Sequence, residues 1–256
     1  MKQTTLAISL ALIMFGATAR INPARPMVKP VEPGLQDSAP TLDVVLEKYI
    51  QALGGRVAIE SVTSRVMKGE VQEPVDYWSY EAYWKSPNKY LQITHSTGES
   101  GLTKIGTNGT IVWFQNNDGD VRENKLQNAS RITRDADLQG DLKLKQYFPN
   151  MLLKGKRKVG DRETYCVESK TSEGFSDNWY FDTETGLLFE YDYERKFGDR
   201  KMTFEYRYKD YKKVDGVMIP FTIERNSPSP YTHRWKEVKN NIHLDDAIFE
   251  KPAVKR

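Results

Sequence analysis

From Ser64 onward, apolar and polar residues alternate along most of the chain. Successive side chains of a strand point to opposite faces, so this period predicts strands with one apolar and one solvated face. The alternation is clearest in four segments: 77–85, 187–194, 202–209 and 217–223. Turn sequences such as Asn108-Gly109 separate such segments and favour hairpins. The sequence therefore predicts a mainly β fold, with about eleven or twelve antiparallel strands in a meandering sheet or barrel.

Two segments have helical rather than strand character. Leu42 to Leu53 carries apolar residues along one helix face, with Thr41 or Asp43 as N-cap and Gly54-Gly55 as the end. A short helical turn, 57–62, follows it. Residues 128–146 lack sustained alternation and predict one or two helices inserted midway along the sheet. The expected order is helix, about five strands, helix, about six strands.

The N-terminus has the features of a cleavable signal peptide. Lys2 precedes an apolar stretch, Leu6–Phe15, and Ala17-Thr18-Ala19 offers the small-x-small pattern for cleavage. The apolar stretch is shorter than the roughly 20 residues of a membrane span, although a retained N-terminal anchor is the alternative. We expect cleavage near Ala19 and, because no cysteine follows the apolar stretch, no lipidation. Residues 20–40 contain five prolines and predict an extended linker, followed by one domain, 41–256.

Composition argues against a nucleic-acid-binding protein and against a disulfide-stabilised fold. Cleavage would remove Lys2 and no acidic residue, so the formal net charge would fall from +3 to +2. A charge so close to balance argues against a nucleic-acid partner. Cys166 is the only cysteine, so there is no disulfide within the chain, and its strand-like setting predicts a small buried residue rather than a reactive thiol.

No catalytic or cofactor-binding motif is present. The sequence contains no nucleophile elbow, H-E-x-x-H, P-loop or G-x-G-x-x-G pattern, which predicts no enzyme activity and no cofactor. A metal pair of His95 and His233 is conceivable, but ordinary surface or half-buried histidines are the favoured interpretation. His243 with Asp245 and Asp246 resembles a hydrolase or metal cluster, yet aspartates before a short turn commonly cap backbone amides.

The apolar faces of the predicted strands are unusually bulky. Their aromatic side chains either interlock as a core or line a concave apolar cavity, with the helices as its lid. The ligand-binding residues predicted on the second interpretation are Trp78, Tyr80, Trp84, Trp113, Phe189, Tyr191, Phe204, Tyr206, Tyr208 and Phe221.

Four segments resemble bacterial outer-membrane lipoprotein-sorting (LolA-like) domains: 49–69, 179–188, 210–221 and 241–252. The resemblance covers about 42–252. It implies an unclosed β-barrel of roughly eleven antiparallel strands around an apolar cavity, with helices as the lid and acyl chains of a lipoprotein as the family's ligand. Arg65 is the nearest match by position to the family's lid-contacting arginine.

These observations lead to two hypotheses. The first is a soluble, monomeric periplasmic carrier or binding protein for acyl chains of lipoproteins or lipids, working with a sorting partner at the inner or outer membrane. The alternative is a non-catalytic interaction or structural module of the envelope, in which the same fold has a filled core.

Overall fold

The computed structural model describes residues 39–73, 77–96, 101–123 and 128–253, and for 128–131 the backbone alone. The predicted signal peptide and nearly all of the predicted linker lie outside the described residues. Within the described part of the chain, no helix is long and apolar enough to cross a membrane.

Thirteen antiparallel strands form one sheet in the order β6-β5-β4-β3-β2-β1-β13-β12-β11-β10-β9-β8-β7. Their bounds are β1 Ser64–Gln72, β2 Tyr77–Lys85, β3 Lys89–Ser96, β4 Leu102–Thr107, β5 Val112–Gln115, β6 Val121–Glu123, β7 Leu152–Val159, β8 Arg162–Lys170, β9 Ser176–Asp182, β10 Leu188–Phe197, β11 Arg200–Val214, β12 Val217–Ser227 and β13 Tyr231–Asn240. The first and last strands of the domain, β1 and β13, pair with each other, and β6 and β7 are the sheet edges. The sheet is therefore an unclosed barrel, as the sequence predicts.

The helices also follow the predicted order. They are α1 Leu42–Ala52, α2 Arg56–Glu60, α3 Asn128–Asp135 and α4 Leu144–Tyr147, with 3-10 helices at Gly140–Lys143 and Asp246–Phe249. The hydroxyl of Thr41 accepts a hydrogen bond from the Val44 amide at 3.3 Å, so Thr41 is the N-cap of α1. Gly54 has φ +119°, and a Cβ there would lie 2.1 Å from the Gly216 carbonyl oxygen, so only glycine fits this turn.

The sheet has a hydrophobic cluster on each face. The larger one joins α1 and α2 to the sheet; within it, the ring centroids of Tyr49 and Phe181 are 4.9 Å apart. The smaller cluster lies on the opposite face and is covered by the C-terminal segment through Leu244 and Phe249. Phe249 is fully buried. The smaller cluster fills that face near β1, β3 and β5 through Val66, Leu91 and Trp113.

Candidate ligand-binding cavity

A cavity of about 630 Å³ lies on the helix-covered face of the sheet. Strands β1–β3 form one of its walls and β10–β13 the other, and the C-terminal end of α3 borders it. Its lining includes seven tyrosines but few aliphatic residues, Val71 and Ile223. The volume suits a small-molecule or lipid ligand. The wall combines flat apolar ring faces with hydroxyl groups, so it is more polar than the predicted apolar cavity.

Stacked rings form the β10–β11 wall. Tyr193 stacks on Tyr206 with 6.0 Å between centroids and 9° between planes, and on Phe204 with 4.9 Å and 13°. Tyr191 continues the row, 5.5 Å from Tyr193. Such offset contacts between aromatic rings stabilise each pair by about 0.5–1.5 kcal/mol beyond simple burial. The rings of this wall therefore support one another without a ligand.

A buried carboxylate on the neighbouring strand β9, opposite Tyr193, anchors this wall. Asp177 is 1% exposed; its Oδ1 accepts a hydrogen bond from the Tyr191 hydroxyl at 2.6 Å and another from Arg195 Nη2 at 3.1 Å. The guanidinium of Arg195 lies 4.9 Å from the Tyr193 ring centroid. Burial, together with the neighbouring Asp177 charge, raises the pKa of Tyr191, which therefore stays a neutral donor. These bonds fix both rings and compensate the buried charge.

Strand β13 carries two buried polar atoms that lack a partner among the described residues, one on the cavity-lining His233 and one on its neighbour Trp235. His233 packs between Tyr80 and Trp235, with ring centroids 4.2 Å and 4.8 Å away. Among the described residues, neither His233 Nε2 nor Trp235 Nε1 has a hydrogen-bond partner. Burial lowers the pKa of His233 to about 4, so the imidazole is neutral at pH 7. Unpaired buried polar atoms are rare, so His233 marks a part of the cavity wall that is not optimised for stability alone.

A smaller cavity of about 200 Å³ lies beneath α1 and the 3-10 helix Gly140–Lys143. Arg65 and Asp141 both line it, and the Tyr49 hydroxyl donates to Asp141 Oδ1 at 2.7 Å. Burial lowers the pKa of Arg65 to about 10 and raises that of Asp141. Arg65, the nearest match to a lid-contacting arginine, thus shares a cavity with the helical insertion. Tyr208 lines this cavity and the larger one, so it lies between the two.

Five of the ten predicted ligand-binding residues line the larger cavity. They are Trp78, Tyr80, Tyr191, Tyr206 and Tyr208.

The other five lie elsewhere. Trp84 packs against the larger cluster, and its indole Nε1 donates to the Asp135 carbonyl oxygen at 3.0 Å. Phe221 also packs against that cluster, under the ammonium of Lys212. Phe204 stacks on Tyr193 without reaching the cavity surface.

Trp113 lies on the opposite face of the sheet, in the smaller cluster. It is 1% exposed, and its Nε1 donates to the Phe249 carbonyl oxygen at 3.0 Å. The indole covers Gly106, where an added Cβ would lie 2.6 Å from Trp113 Cζ2. The face that Trp113 takes depends on which residues of its short strand point inward. The strand is too short for an alternating pattern in the sequence to determine this.

Phe189 is displaced by an irregularity in the sheet. The pairing of β10 with β9 shifts register between Leu188 and Glu190, so that Leu188, and not Phe189, packs against the larger cluster. Phe189 instead lies under the guanidinium of Arg207, 5.3 Å from its ring centroid, while Arg207 pairs with Glu190. A bulge of this kind changes which residues point to each face of the sheet beyond the bulge. The apolar pattern of the sequence alone does not reveal the bulge.

Several cavity residues were absent from the predicted set: Tyr90, Tyr193, Tyr231, His233, Arg134, Arg195 and Arg225. A signal for part of this set exists, because Tyr231, His233 and Trp235 alternate with polar residues in the same way as the predicted strands. The arginines have no such signal, since a charged residue in a strand normally indicates the solvated face.

The other candidate sites are dispersed. His95 is exposed on β3, separated from His233 on β13 by β1 and β2. Asp245 Oδ1 accepts from the Ala247 amide at 2.9 Å, which is the predicted capping role, and Asp246 pairs with Lys85 and Lys89. No group of three or more metal-binding side chains occurs among the residues described. Cys166 is buried, as predicted, and burial raises the pKa of its thiol.

Several solved structures have a similar fold, and two of them superpose with a TM-score above 0.5 as follows. A DUF1329 family protein from Desulfovibrio piger superposes with a TM-score of 0.58 and 15% identity, covering 84% of this chain and 99% of that chain. A LolA superfamily protein from Nitrosomonas europaea superposes with a TM-score of 0.53 and 16% identity, covering 83% and 99%. No protein-family model matches the sequence, and no curated protein matches it significantly. The LolA-like fold implied by the sequence resemblance is confirmed.

Proposed function

We propose that the protein is an exported periplasmic binding protein or carrier that holds acyl chains of lipoproteins or lipids in the larger cavity. The observation that carries this proposal is the cavity itself: about 630 Å³ between two walls of one curved sheet, in a LolA-like fold. A sheet whose core were completely filled would leave no such space. The predicted signal peptide, cleaved near Ala19 and without a lipidation site, supports a periplasmic location.

The energetics of chain burial are sufficient for binding. Each methylene moved from water into an apolar setting contributes about 0.8 kcal/mol, so ten buried methylenes contribute about 8 kcal/mol before the cost of ordering the chain. The faces of Trp78, Tyr80 and Tyr206 offer such a surface. The hydroxyls at the ring edges add hydrogen-bond donors and acceptors for a polar end of the ligand.

The proposal requires no catalytic group. Binding and release involve only non-covalent contacts, chiefly burial of the acyl chain, and a carrier would pass its ligand to a sorting partner at the inner or outer membrane. We expect the mature domain, 41–256, to act as a monomer without a cofactor.

Displacement of a fluorescent fatty-acid probe tests the proposal. The wild type should bind the probe saturably and release it to an unlabelled lipid or lipopeptide. Tyr206→Glu should weaken binding by at least tenfold, because a carboxylate on the cavity wall repels an acyl chain. Leu152→Glu is the matched control: it adds the same charge at a side chain that is 63% exposed on the edge strand β7. Absence of saturable binding by the folded wild type would instead support the interaction module with a filled core.

A further inference from the structure

Arg225 is a preorganised cation in the larger cavity. Its guanidinium lies 4.0 Å from the ring centroid of Tyr231, and its Nε donates to the Ser229 carbonyl oxygen at 2.7 Å. The contact with Tyr231 uses one flat face of the guanidinium, and the bond to Ser229 uses its Nε edge. They hold the side chain in place. Among the described residues, neither terminal nitrogen has a hydrogen-bond partner, and these nitrogens form the edge that binds carboxylates and phosphates.

The other two guanidiniums of the cavity are compensated. Arg195 pairs with the buried Asp177, and Arg134 Nε lies 3.9 Å from Asp135 Oδ1. Arg225 has no carboxylate within ion-pair distance among the residues that the structure describes. The neighbouring Glu224 pairs with Lys209 at 2.7 Å. Among the described residues, Arg225 is thus the cavity arginine whose charge no carboxylate balances.

One acidic residue shares this part of the cavity. Glu73 and Arg225 both line the larger cavity, as well as a second depression beside it. Glu73 forms no ion pair with a described residue, so its negative charge faces the same space. A ligand with one negative charge can bind Arg225 and keep away from Glu73, whereas additional negative charge on the ligand would be repelled.

We propose that the cavity binds a single-tailed amphiphile with one anionic head group, a carboxylate or a phosphate monoanion, and that Arg225 binds this head. The tail lies along the tyrosine wall, so the inference rests on the proposed function and specifies its ligand class. A planar guanidinium binds such an oxyanion through two hydrogen bonds, and each is stronger than a bond between neutral groups.

A matched pair of ligands tests this assignment: oleate and oleyl alcohol, which have the same chain and differ in head charge. Each displaces the fluorescent probe from the wild type, from Arg225→Gln and from Arg234→Gln. Arg234 is the control, because it is exposed on the neighbouring strand β13 and donates to Gln72 rather than lining the cavity. Thermal unfolding of each variant confirms that it is folded, and Arg225→Lys replaces Arg225→Gln if the latter is not.

The wild type and Arg234→Gln should prefer oleate about tenfold, equivalent to about 1.4 kcal/mol. Arg225→Gln should lose this preference while its affinity for oleyl alcohol is unchanged, and Arg225→Lys should keep only part of it. Glu73→Gln should increase oleate affinity.

Other outcomes overturn the assignment in distinguishable ways. Equal affinity for the two ligands in every variant refutes the head-group site and leaves acyl binding intact. Displacement of oleate by millimolar acetate identifies a small-anion site instead of an amphiphile site. Binding of neither ligand refutes the proposed function together with this inference.

Discussion

Two tryptophans on one strand allow the cavity wall to be compared with the packed core. Trp78 and Trp84 lie on β2, six residues apart and therefore on the same face of the sheet. Trp84 packs against the larger cluster, lies 5.1 Å from the Tyr90 ring and donates to the Asp135 carbonyl oxygen. Trp78 lines the cavity and belongs to neither cluster. Replacement of each by alanine should therefore have different consequences.

Trp84→Ala should lower the free energy of unfolding by about 3 kcal/mol. Removal of a core tryptophan costs about 3–5 kcal/mol, the partial exposure of Trp84 reduces this, and the lost hydrogen bond adds about 1 kcal/mol. For a domain of this size, the melting temperature should fall by about 6–12 °C. Trp78→Ala should cost less than about 1 kcal/mol, because it enlarges a space that already exists, while probe affinity should fall several-fold.

Urea denaturation and probe titration of the same two variants provide the measurement. Equal losses of stability, with probe affinity unchanged in Trp78→Ala, would show that Trp78 belongs to a solid core and that the cavity interpretation is wrong. Trp84→Phe is a control for the hydrogen bond: it retains much of the ring contact and should cost about 1 kcal/mol from the lost bond, plus a smaller loss of packing.

In urea denaturation, Gly106→Ala should lower the free energy of unfolding by about 1–3 kcal/mol, because the new methyl would overlap the ring of Trp113. Gly140→Ala, where the new methyl would have no heavy atom nearer than 3.8 Å, should be neutral or slightly stabilising. Similar values for the two would contradict the packing described. His233 has a folded pKa lowered to about 4, below its unfolded value near 6.5, so the unfolded state binds more protons between these values. The free energy of unfolding should fall by about 2–3 kcal/mol as pH drops from 6.5 to 4. His233→Gln should remove this pH-dependent loss of stability, whereas His243→Gln, at an exposed position, should retain it.

The order of elements was predictable because it depends on patterns that extend over many residues. The long alternation in β2, β10, β11 and β12 identifies strands, and the loss of alternation after Asn128 identifies the helical insertion. The predicted number of strands, eleven or twelve, is lower than the thirteen that the structure has. Strands such as β6, with three residues, are too short for a period of two to be recognised.

The members of the cavity were only partly predictable. Periodicity assigned Trp78, Tyr80 and Tyr206 to the correct face, because each belongs to a long regular row. It failed where the row is short, at Trp113, and where a bulge interrupts it, at Phe189. Even on the correct face, alternation does not distinguish a residue that borders a void from one that packs under a helix. That distinction depends on where the helices dock, as at Trp84.

The polar character of the cavity was not predictable from an apolar-face argument. Arg195 and His233 occupy the inner face because Asp177 compensates the arginine and because neighbouring rings surround a neutral imidazole. Both conditions are three-dimensional. Each makes a polar residue tolerable on a face where sequence patterns predict apolar ones.

Native mass spectrometry of the protein purified from the periplasm tests the central claim most directly. We predict a mature chain beginning near Arg20 that carries one lipid-sized ligand per protein molecule and loses it in the Tyr206→Glu variant. Collisional release should yield an amphiphile with one negative charge. A folded, ligand-free wild type that remains ligand-free after incubation with saturating oleate or lipopeptide would contradict the account, and the cavity would then have no role in lipid binding.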